Sequence, residues 1–327
     1  MKLREKYKIS KAILKRVIFH AKTPLVVFLT ITTRCNARCV YCNCWQLPFK
    51  ELSTEQIFKI VDELAYHGTL RISITGGEPL LRDDIGDIIG YIKKKKIFVS
   101  INSNGLLLPE NIKKIKEVDL VQLGFDGPKE IHDILRPVGT YQRVIDSMVC
   151  CTKNKIRFSL NTTIVNQSFK DIDFILDKAE EFGCYVNFQP VVNMPYASSN
   201  IKDMLLSRTY VKKIFNYILY LKKKNKRIFN SIRGLRYYLS YWPEGKNIRC
   251  WAGILFCVIG CNGLVYSCSM MENISPFENC LENGFSEAFS RLKRRSCKNC
   301  WCSSTLELNY ILSLNFDSIY NAIKMNL

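Results

Sequence analysis

Between residues 24 and 191, short runs of β-branched and other apolar residues alternate with longer amphipathic segments. The segment from Ser53 to Gly68 is typical of the latter, because Ser53 and Gln56 have capping-box spacing and Gly68 suits a helix C-terminus. Strand and helix alternating in this way predict a parallel sheet covered by helices, with the active site at the carboxyl ends of the strands. We expect an α/β fold, a partial (β/α)6 TIM-like barrel. Its predicted strands are residues 25–32, 70–75, 97–103, 120–125, 156–165 and 185–192.

Fifteen cysteines in this chain need an explanation. The longest apolar stretch near the start, residues 24–32, has only nine residues, and residues 1–19 mix charges into their apolar positions. We therefore expect neither a membrane-spanning helix nor a signal peptide, and a cytoplasmic protein. Because the cytosol keeps thiols reduced, metal ligation is a better explanation for the cysteines than disulfides.

Three of the cysteines, Cys35, Cys39 and Cys42, follow the first predicted strand with the spacing C-x3-C-x2-C. Three thiolates on one loop suit a 4Fe-4S cluster, and they leave one iron open to a ligand that is not protein. A zinc site would need a fourth ligand. Cys44 is the nearest candidate, but at two residues from Cys42 we expect it to point away.

Further motifs follow the next strands. Tyr41 precedes the third cysteine, and "ITGGEPLLR" (residues 74–82), "INSNG" (101–105) and "LGFDGPKEIHDILRPVGTYQRVID" (123–146) each occur at or after a predicted strand. With the cysteine loop, these segments make the chain resemble enzymes of the radical S-adenosylmethionine (SAM) superfamily over residues 25–191.

The resemblance implies that SAM binds the open iron through its amino and carboxylate groups. Two glycines would let the backbone approach this ligand, and the Glu78 region offers acceptors for its ammonium group. Relatives often have Ser where this chain has Gly124, which puts a contact from that position in doubt. Asp126 with the following Gly-Pro would also suit a simple strand-ending turn. The residues expected to bind the cofactor are Tyr41, Gly76, Gly77, Glu78, Asn104, Asp126, Asn161 and Gln189.

A second group of cysteines lies near the C-terminus, in a pattern that resembles the SPASM and shorter twitch domains of radical SAM enzymes. Cys250 and Cys268 fit C-x12-G-x4-C through Gly263, and "CKNCWC" follows, whereas the C-x2-C-x5-C-x3-C run of a full SPASM domain is missing. We expect one auxiliary 4Fe-4S cluster in a small C-terminal Cys-rich domain, with a zinc site as the alternative. Its expected ligands are Cys250, Cys268, Cys297 and Cys300, with Cys302, Cys261 or Cys257 as replacements.

Four regions are predicted: a basic N-terminal helix (1–23), the radical SAM core (24–196), a basic helical connector (197–249) and the auxiliary cluster domain with a closing helix (250–327). Within the connector, Gly234 is the expected interruption.

The formal net charge is +19. Residues 1–23 hold eight Lys or Arg against one acid, and residues 201–249 hold thirteen against two. Such charge suits an anionic substrate or membrane surface as well as nucleic acid, but no nucleic-acid motif accompanies it. Lysine-rich helices that are simply solvated would explain it equally well.

Two functions of different class follow. In the first, the protein is an enzyme that reductively cleaves SAM to a 5′-deoxyadenosyl radical and abstracts hydrogen from a peptide or protein, a lipid or a cofactor precursor. An electron donor such as ferredoxin or flavodoxin would serve it. In the second, the clusters are structural in a protein that binds a membrane surface or nucleic acid. A structural cluster needs neither an open iron nor a Gly-Gly-Glu-Pro segment, which favours the enzyme.

Overall fold

The computed structural model describes residues 22–271, 278–292 and 297–325. The predicted basic N-terminal helix therefore lies almost wholly outside the described residues. No helix among the described residues is both long and apolar enough to cross a membrane.

Six parallel strands form the main sheet, and each coincides with a predicted strand to within two residues. Neighbours in sequence are neighbours in the sheet, in the order β6-β5-β4-β3-β2-β1. Such an order suits a sheet that curls toward a barrel without closing. The fold-class prediction is confirmed. The strands are β1 (Val26–Thr32), β2 (Arg71–Gly76), β3 (Phe98–Ser103), β4 (Leu120–Gly124), β5 (Phe158–Ile164) and β6 (Tyr185–Pro190).

Helices connect these strands and cover them. The first, α1, begins with the predicted capping box: Ser53 Oγ accepts from the Gln56 N–H, and Gln56 Oε1 accepts from the Ser53 N–H. One apolar stripe of α1 (Ile57, Ile60, Val61 and Leu64) is buried, as in an amphipathic helix that faces a sheet. The helices of this region are α1 (Thr54–Tyr66), α2 (Ile85–Lys94), α3 (Leu108–Asn111), α4 (Lys129–Leu135), α5 (Thr140–Lys153) and α6 (Phe169–Glu181).

The C-terminal region extends this same sheet. Strand β7 (Phe256–Ile259) pairs in parallel with β1, and β8 (Leu264–Tyr266) and β9 (Glu278–Asn279) follow in antiparallel order, so the sheet has nine strands. Helix α10 (Cys280–Arg291) then packs against α1. The cysteine-rich region is thus joined to the barrel through main-chain hydrogen bonds.

The connector contains α7 (Ile201–Met204), α8 (Arg208–Lys223) and α9 (Ile232–Tyr241). The expected interruption at Gly234 was wrong, because the break lies at residues 224–231, where Asn225 has a φ of 60° and Ser231 caps α9. Gly234 is instead needed within α9, since a Cβ there would overlap the carboxylate of Glu307.

The prediction of a single closing helix was also wrong. Two helices, α11 (Ser303–Leu312) and α12 (Phe316–Lys324), are separated by a turn in which Leu314 has a φ of 60°. Asn315 caps the second helix by accepting from the Ser318 N–H. Both helices contact α9 and each other, so the C-terminus closes against the connector.

Candidate active site

The carboxyl ends of the parallel strands open into a cavity of about 410 Å³, a volume typical of small-molecule sites. The cavity also receives residues from the C-terminal region, among them Cys261, Cys302 and Thr305. Of the residues that the sequence assigned to the cofactor, six line the cavity: Tyr41, Gly76, Gly77, Asn104, Asn161 and Gln189. Glu78 and Asp126 are buried in its wall.

Cys35, Cys39 and Cys42 all line this cavity. Burial raises the pKa of the Cys39 thiol to about 11, whereas a hydrogen bond with the Cys44 side chain lowers that of Cys42 to about 7. The expectation that Cys44 points away was wrong, because this buried residue also lines the cavity. Its sulfur lies 3.9 Å from the carbonyl oxygen of Thr33. Three thiols from one loop form an all-sulfur donor set, which fits an iron-sulfur cluster.

The loop that carries these thiols is held by its neighbours. Asn104 Nδ2 donates to Asn36 Oδ1 at 2.8 Å and lies 3.7 Å from Cys35 Sγ. The Arg38 guanidinium donates to the Cys35 carbonyl at 2.6 Å and covers the ring of Trp45 at 4.0 Å. The conformation of the loop therefore depends on contacts from β3 and from within the loop.

The glycine pair at the end of β2 is required by backbone packing. A Cβ at Gly76 would overlap the carbonyl oxygen of Thr32, and one at Gly77 would overlap that of Arg34. At the same place, the Gly77 N–H donates to Thr32 O at 2.9 Å and the Glu78 N–H donates to Arg34 O at 2.8 Å. The glycines bring this segment directly against the start of the cysteine loop, a close approach that the sequence had suggested for a ligand.

The carboxylate of Glu78 is turned into the wall. It accepts hydrogen bonds from the Leu80 N–H, from Ser103 Oγ at 3.0 Å and from the Asn104 N–H at 2.7 Å. Burial raises its pKa to about 7. Glu78 thus joins the end of β2 to the end of β3 and positions Asn104.

Asp126 is the centre of a second buried network. Its carboxylate accepts from Arg136 Nε at 2.7 Å, from the Tyr41 hydroxyl at 2.9 Å and from the Thr163 N–H at 2.9 Å. Arg136 also lines the cavity, and a Cβ at Gly124 would overlap its guanidinium. The absence of a side chain at Gly124 therefore makes room for Arg136.

Sequence reasoning missed Arg136 as a residue of the site. The signal was available, because Arg136 is the arginine of the "DGP…HD…R" run. His132 of the same run is buried within α4, where its Nδ1 accepts from the Asp126 N–H at 3.3 Å and burial lowers its pKa to about 4.

The C-terminal cysteines come together beside this cavity. Burial raises the thiol pKa of Cys268, and the nearby Cys300, Cys302 and Cys250 raise it further. Cys300 Sγ lies 3.7 Å from Thr305 Oγ1 and 3.8 Å from Asn309 Nδ2.

The remaining candidates differ in position. Cys302 and Cys261 line the cavity, and Cys297 is half-buried. Cys257 is fully buried in β7, where its neighbours include Cys280. Within the described residues, no three Cys, His, Asp or Glu side chains are grouped so that they could hold a single metal ion.

Residues 29–179 match the family model of the Radical SAM superfamily. These residues, a little less than half of the chain, are similar to a radical SAM domain. Fe-coproporphyrin III synthase of Methanosarcina barkeri is 36% identical over 167 residues, which are 49% of this chain and 42% of that protein. AdoMet-dependent heme synthase of the same organism is 24% identical over 307 residues, covering 85% of this chain and 87% of that one. The chain therefore spans less than half of the first relative and most of the second.

Solved structures share the fold of this chain. Streptococcus suis SuiB, in a crystal structure with its precursor peptide SuiA, superposes with a TM-score of 0.68 at 16% identity. The match covers 86% of this chain and 68% of SuiB.

Proposed function

We propose that the protein is a radical SAM enzyme, with a 4Fe-4S cluster on Cys35, Cys39 and Cys42 and SAM in the adjacent cavity. One observation carries the proposal: the three thiols and residues from all six barrel strands line a single cavity of about 410 Å³. When bound there, the cluster and SAM supply one-electron cleavage of a carbon–sulfur bond and hydrogen abstraction from a substrate. An electron donor is needed for this chemistry, and ferredoxin or flavodoxin suits it.

The residues around the thiols have distinct roles in this proposal. Arg136 offers a cation, and Asn104 and Asn161 offer amides, to the polar groups of SAM. Gln189 is fixed by the Ser303 N–H, which donates to its Oε1 at 3.0 Å, so the start of α11 closes the cavity on this side. Glu78 and Asp126 act through their neighbours, because their carboxylates already have buried partners.

We propose a second cluster on Cys250, Cys268 and Cys300, with Cys297 or Cys302 as the fourth ligand. Support comes from the proximity of Cys250, Cys300 and Cys302 to Cys268. Because Cys302 also lines the cavity, this cluster would lie beside the substrate. Cys257 is a poor ligand in this scheme, since β7 buries it on all sides.

For the substrate we propose a carboxylated cofactor precursor. The heme synthase, which aligns over 87% of its length, supports this class. A peptide is the second candidate, favoured by the fold shared with SuiB, whose structure holds a precursor peptide.

A lipid substrate and a membrane-surface role rest on charge alone. Several aromatic residues of the basic connector that would have suited a membrane face are buried instead, including Phe215, Tyr237, Tyr238 and Trp242. Lys222 is half-buried, with its ammonium donating to the Ile228 carbonyl at 2.6 Å. Cosedimentation with anionic and neutral vesicles at low salt would test whether the exposed cations bind a membrane surface.

Iron analysis tests the two metal sites. After anaerobic reconstitution we expect about eight irons per chain, for two four-iron clusters. Replacing Cys35, Cys39 and Cys42 with Ala should remove about half of the iron and leave an electron paramagnetic resonance spectrum that SAM does not change. Cys150→Ala is the matched control, because Cys150 is half-buried on α5 and does not line the cavity. Stoichiometric zinc together with only about four irons would contradict the second cluster.

A further inference from the structure

A second cavity, of about 400 Å³, lies away from the cysteine loop. Its walls come from α9, from residues 246–249 and from the turn between α11 and α12. The lining includes three cations, Arg233, Lys246 and Arg249, and the rings of Tyr241, Tyr310 and Phe316.

The lining carries a strong positive charge. None of the residues that line it is Asp or Glu, and all belong to the part of the chain that the structure describes. Glu244, two residues before Lys246, is 3.3 Å from Arg208, and Asp317 accepts from the Arg233 N–H at 2.9 Å. The three cations are exposed side chains of one lining that includes no carboxylate, an arrangement that favours an anion.

Aromatic rings support each of these cations. Arg233 lies over Tyr310 at 5.6 Å, Lys246 over Tyr241 at 5.1 Å and Arg249 over Trp251 at 4.4 Å. Half-buried Tyr241 and Tyr310 and highly exposed Phe316 offer apolar surface in the same cavity. Rings beside cations suit a flat apolar body that carries an anionic group.

The floor of the cavity is rigidly built. The buried Tyr237 hydroxyl donates to the Lys246 carbonyl at 2.6 Å and accepts from the Cys300 N–H at 3.0 Å. A Cβ at Gly245 would overlap Asn299, so the two segments are in close contact. The cavity therefore backs directly onto the segment that carries Cys300.

We propose that this cavity is a binding site for a flat apolar molecule that carries a carboxylate or a phosphate. It collects three of the thirteen cations of the connector, whereas Lys212, Lys213 and Lys223 on α8 line no part of it. The site explains why basic and aromatic residues are interleaved here, which reductive SAM cleavage does not require. It is separate from the cavity of the cysteine loop, with which it shares no lining residue.

Calorimetric titration with matched probes tests this site. The probes are 1-naphthyl phosphate, 1-naphthoate and 1-naphthalenemethanol, added to the reconstituted protein at low salt with SAM present to fill the first cavity. At least one anionic probe should bind with one-to-one stoichiometry, about tenfold or more tighter than the alcohol. The phosphate and carboxylate probes reveal which anion is preferred.

Variants locate the binding. Arg233→Gln combined with Lys246→Gln should weaken the anionic probe about tenfold or more, whereas Arg236→Gln, an exposed residue of α9 outside the cavity, should leave it unchanged. If the double variant is not folded by circular dichroism, Asn247→Glu provides the same test, because it adds an acid to the lining without removing a contact. Equal binding of the alcohol, no binding of any probe, or wild-type affinity in the folded lining variants would overturn the proposal.

Discussion

Replacing Asp126 with Asn should destabilise the protein severely. The Asp126 side chain is fully buried, and the Arg136 side chain beside it is 10% exposed. Burial alone would raise the pKa of Asp126, but Arg136 and the hydrogen bonds hold it below its usual value, so the carboxylate is charged at neutral pH. Asn keeps the shape and removes the charge, which leaves the guanidinium without its counterion. Breaking a buried pair in this way costs about 3–5 kcal/mol.

Urea unfolding at pH 7 measures the loss as a change in the free energy of unfolding, if the transition is two-state. Glu110→Gln is the matched control, because Glu110 pairs with Arg143 at the surface, with exposed fractions of 53% and 41%. Surface pairs contribute about 0–1 kcal/mol. A loss below about 1 kcal/mol for Asp126→Asn, equal to that of the control, would refute a charged Asp126–Arg136 pair as a main support of the site.

Three further predictions concern packing and charge. Gly77→Ala should lower iron content, because its Cβ would overlap a backbone carbonyl at the start of the cysteine loop; iron content at the wild-type level would contradict this. Glu307 has a pKa raised by burial from 4.5 to about 7, so the folded state binds the extra proton and stability should fall as pH rises from about 4.5 to 7. Across that pH range, the melting temperature of Glu307→Gln should change less with pH than that of the wild type. An equal slope in the two proteins would contradict the raised pKa of Glu307. Lys222→Glu should lower the melting temperature more than Lys223→Glu. The reason is that burial lowers the pKa of Lys222 to about 8 and its ammonium donates a hydrogen bond to the Ile228 carbonyl. Equal losses of melting temperature in the two variants would indicate that Lys222 is solvated.

The barrel could be predicted because local signals agree with tertiary packing. Runs such as residues 97–103 are apolar, short and bounded by helix signals, and the structure has β3 at Phe98–Ser103. The capping box at Ser53 depends on residues four positions apart at most, so the sequence contains all of it. Motifs placed after strands were expected to meet at one end of the sheet, and Cys35, Gly77 and Asn104 do so.

Contacts between residues far apart in the chain could not be predicted from local sequence patterns. Strand β7 pairs with β1, more than 200 positions earlier in the chain, and no local pattern encodes that partner. The Asp126–Arg136 pair and the partners of Glu78 likewise depend on how strand ends pack. In the connector, Tyr237 and Tyr238 lie in a segment rich in lysine and arginine, and the structure buries both against Trp301. The composition of a cation-rich helix does not show which of its residues form the buried apolar face.

Product analysis tests the central claim most directly. The anaerobically reconstituted protein, given SAM and a strong one-electron reductant without substrate, should form 5′-deoxyadenosine and methionine, detected by liquid chromatography with mass spectrometry. The variant with Ala at Cys35, Cys39 and Cys42 should form neither, whereas Cys150→Ala should match the wild type. Methylthioadenosine as the sole product, or no cleavage by a protein that carries its full iron, would contradict reductive SAM cleavage at this site.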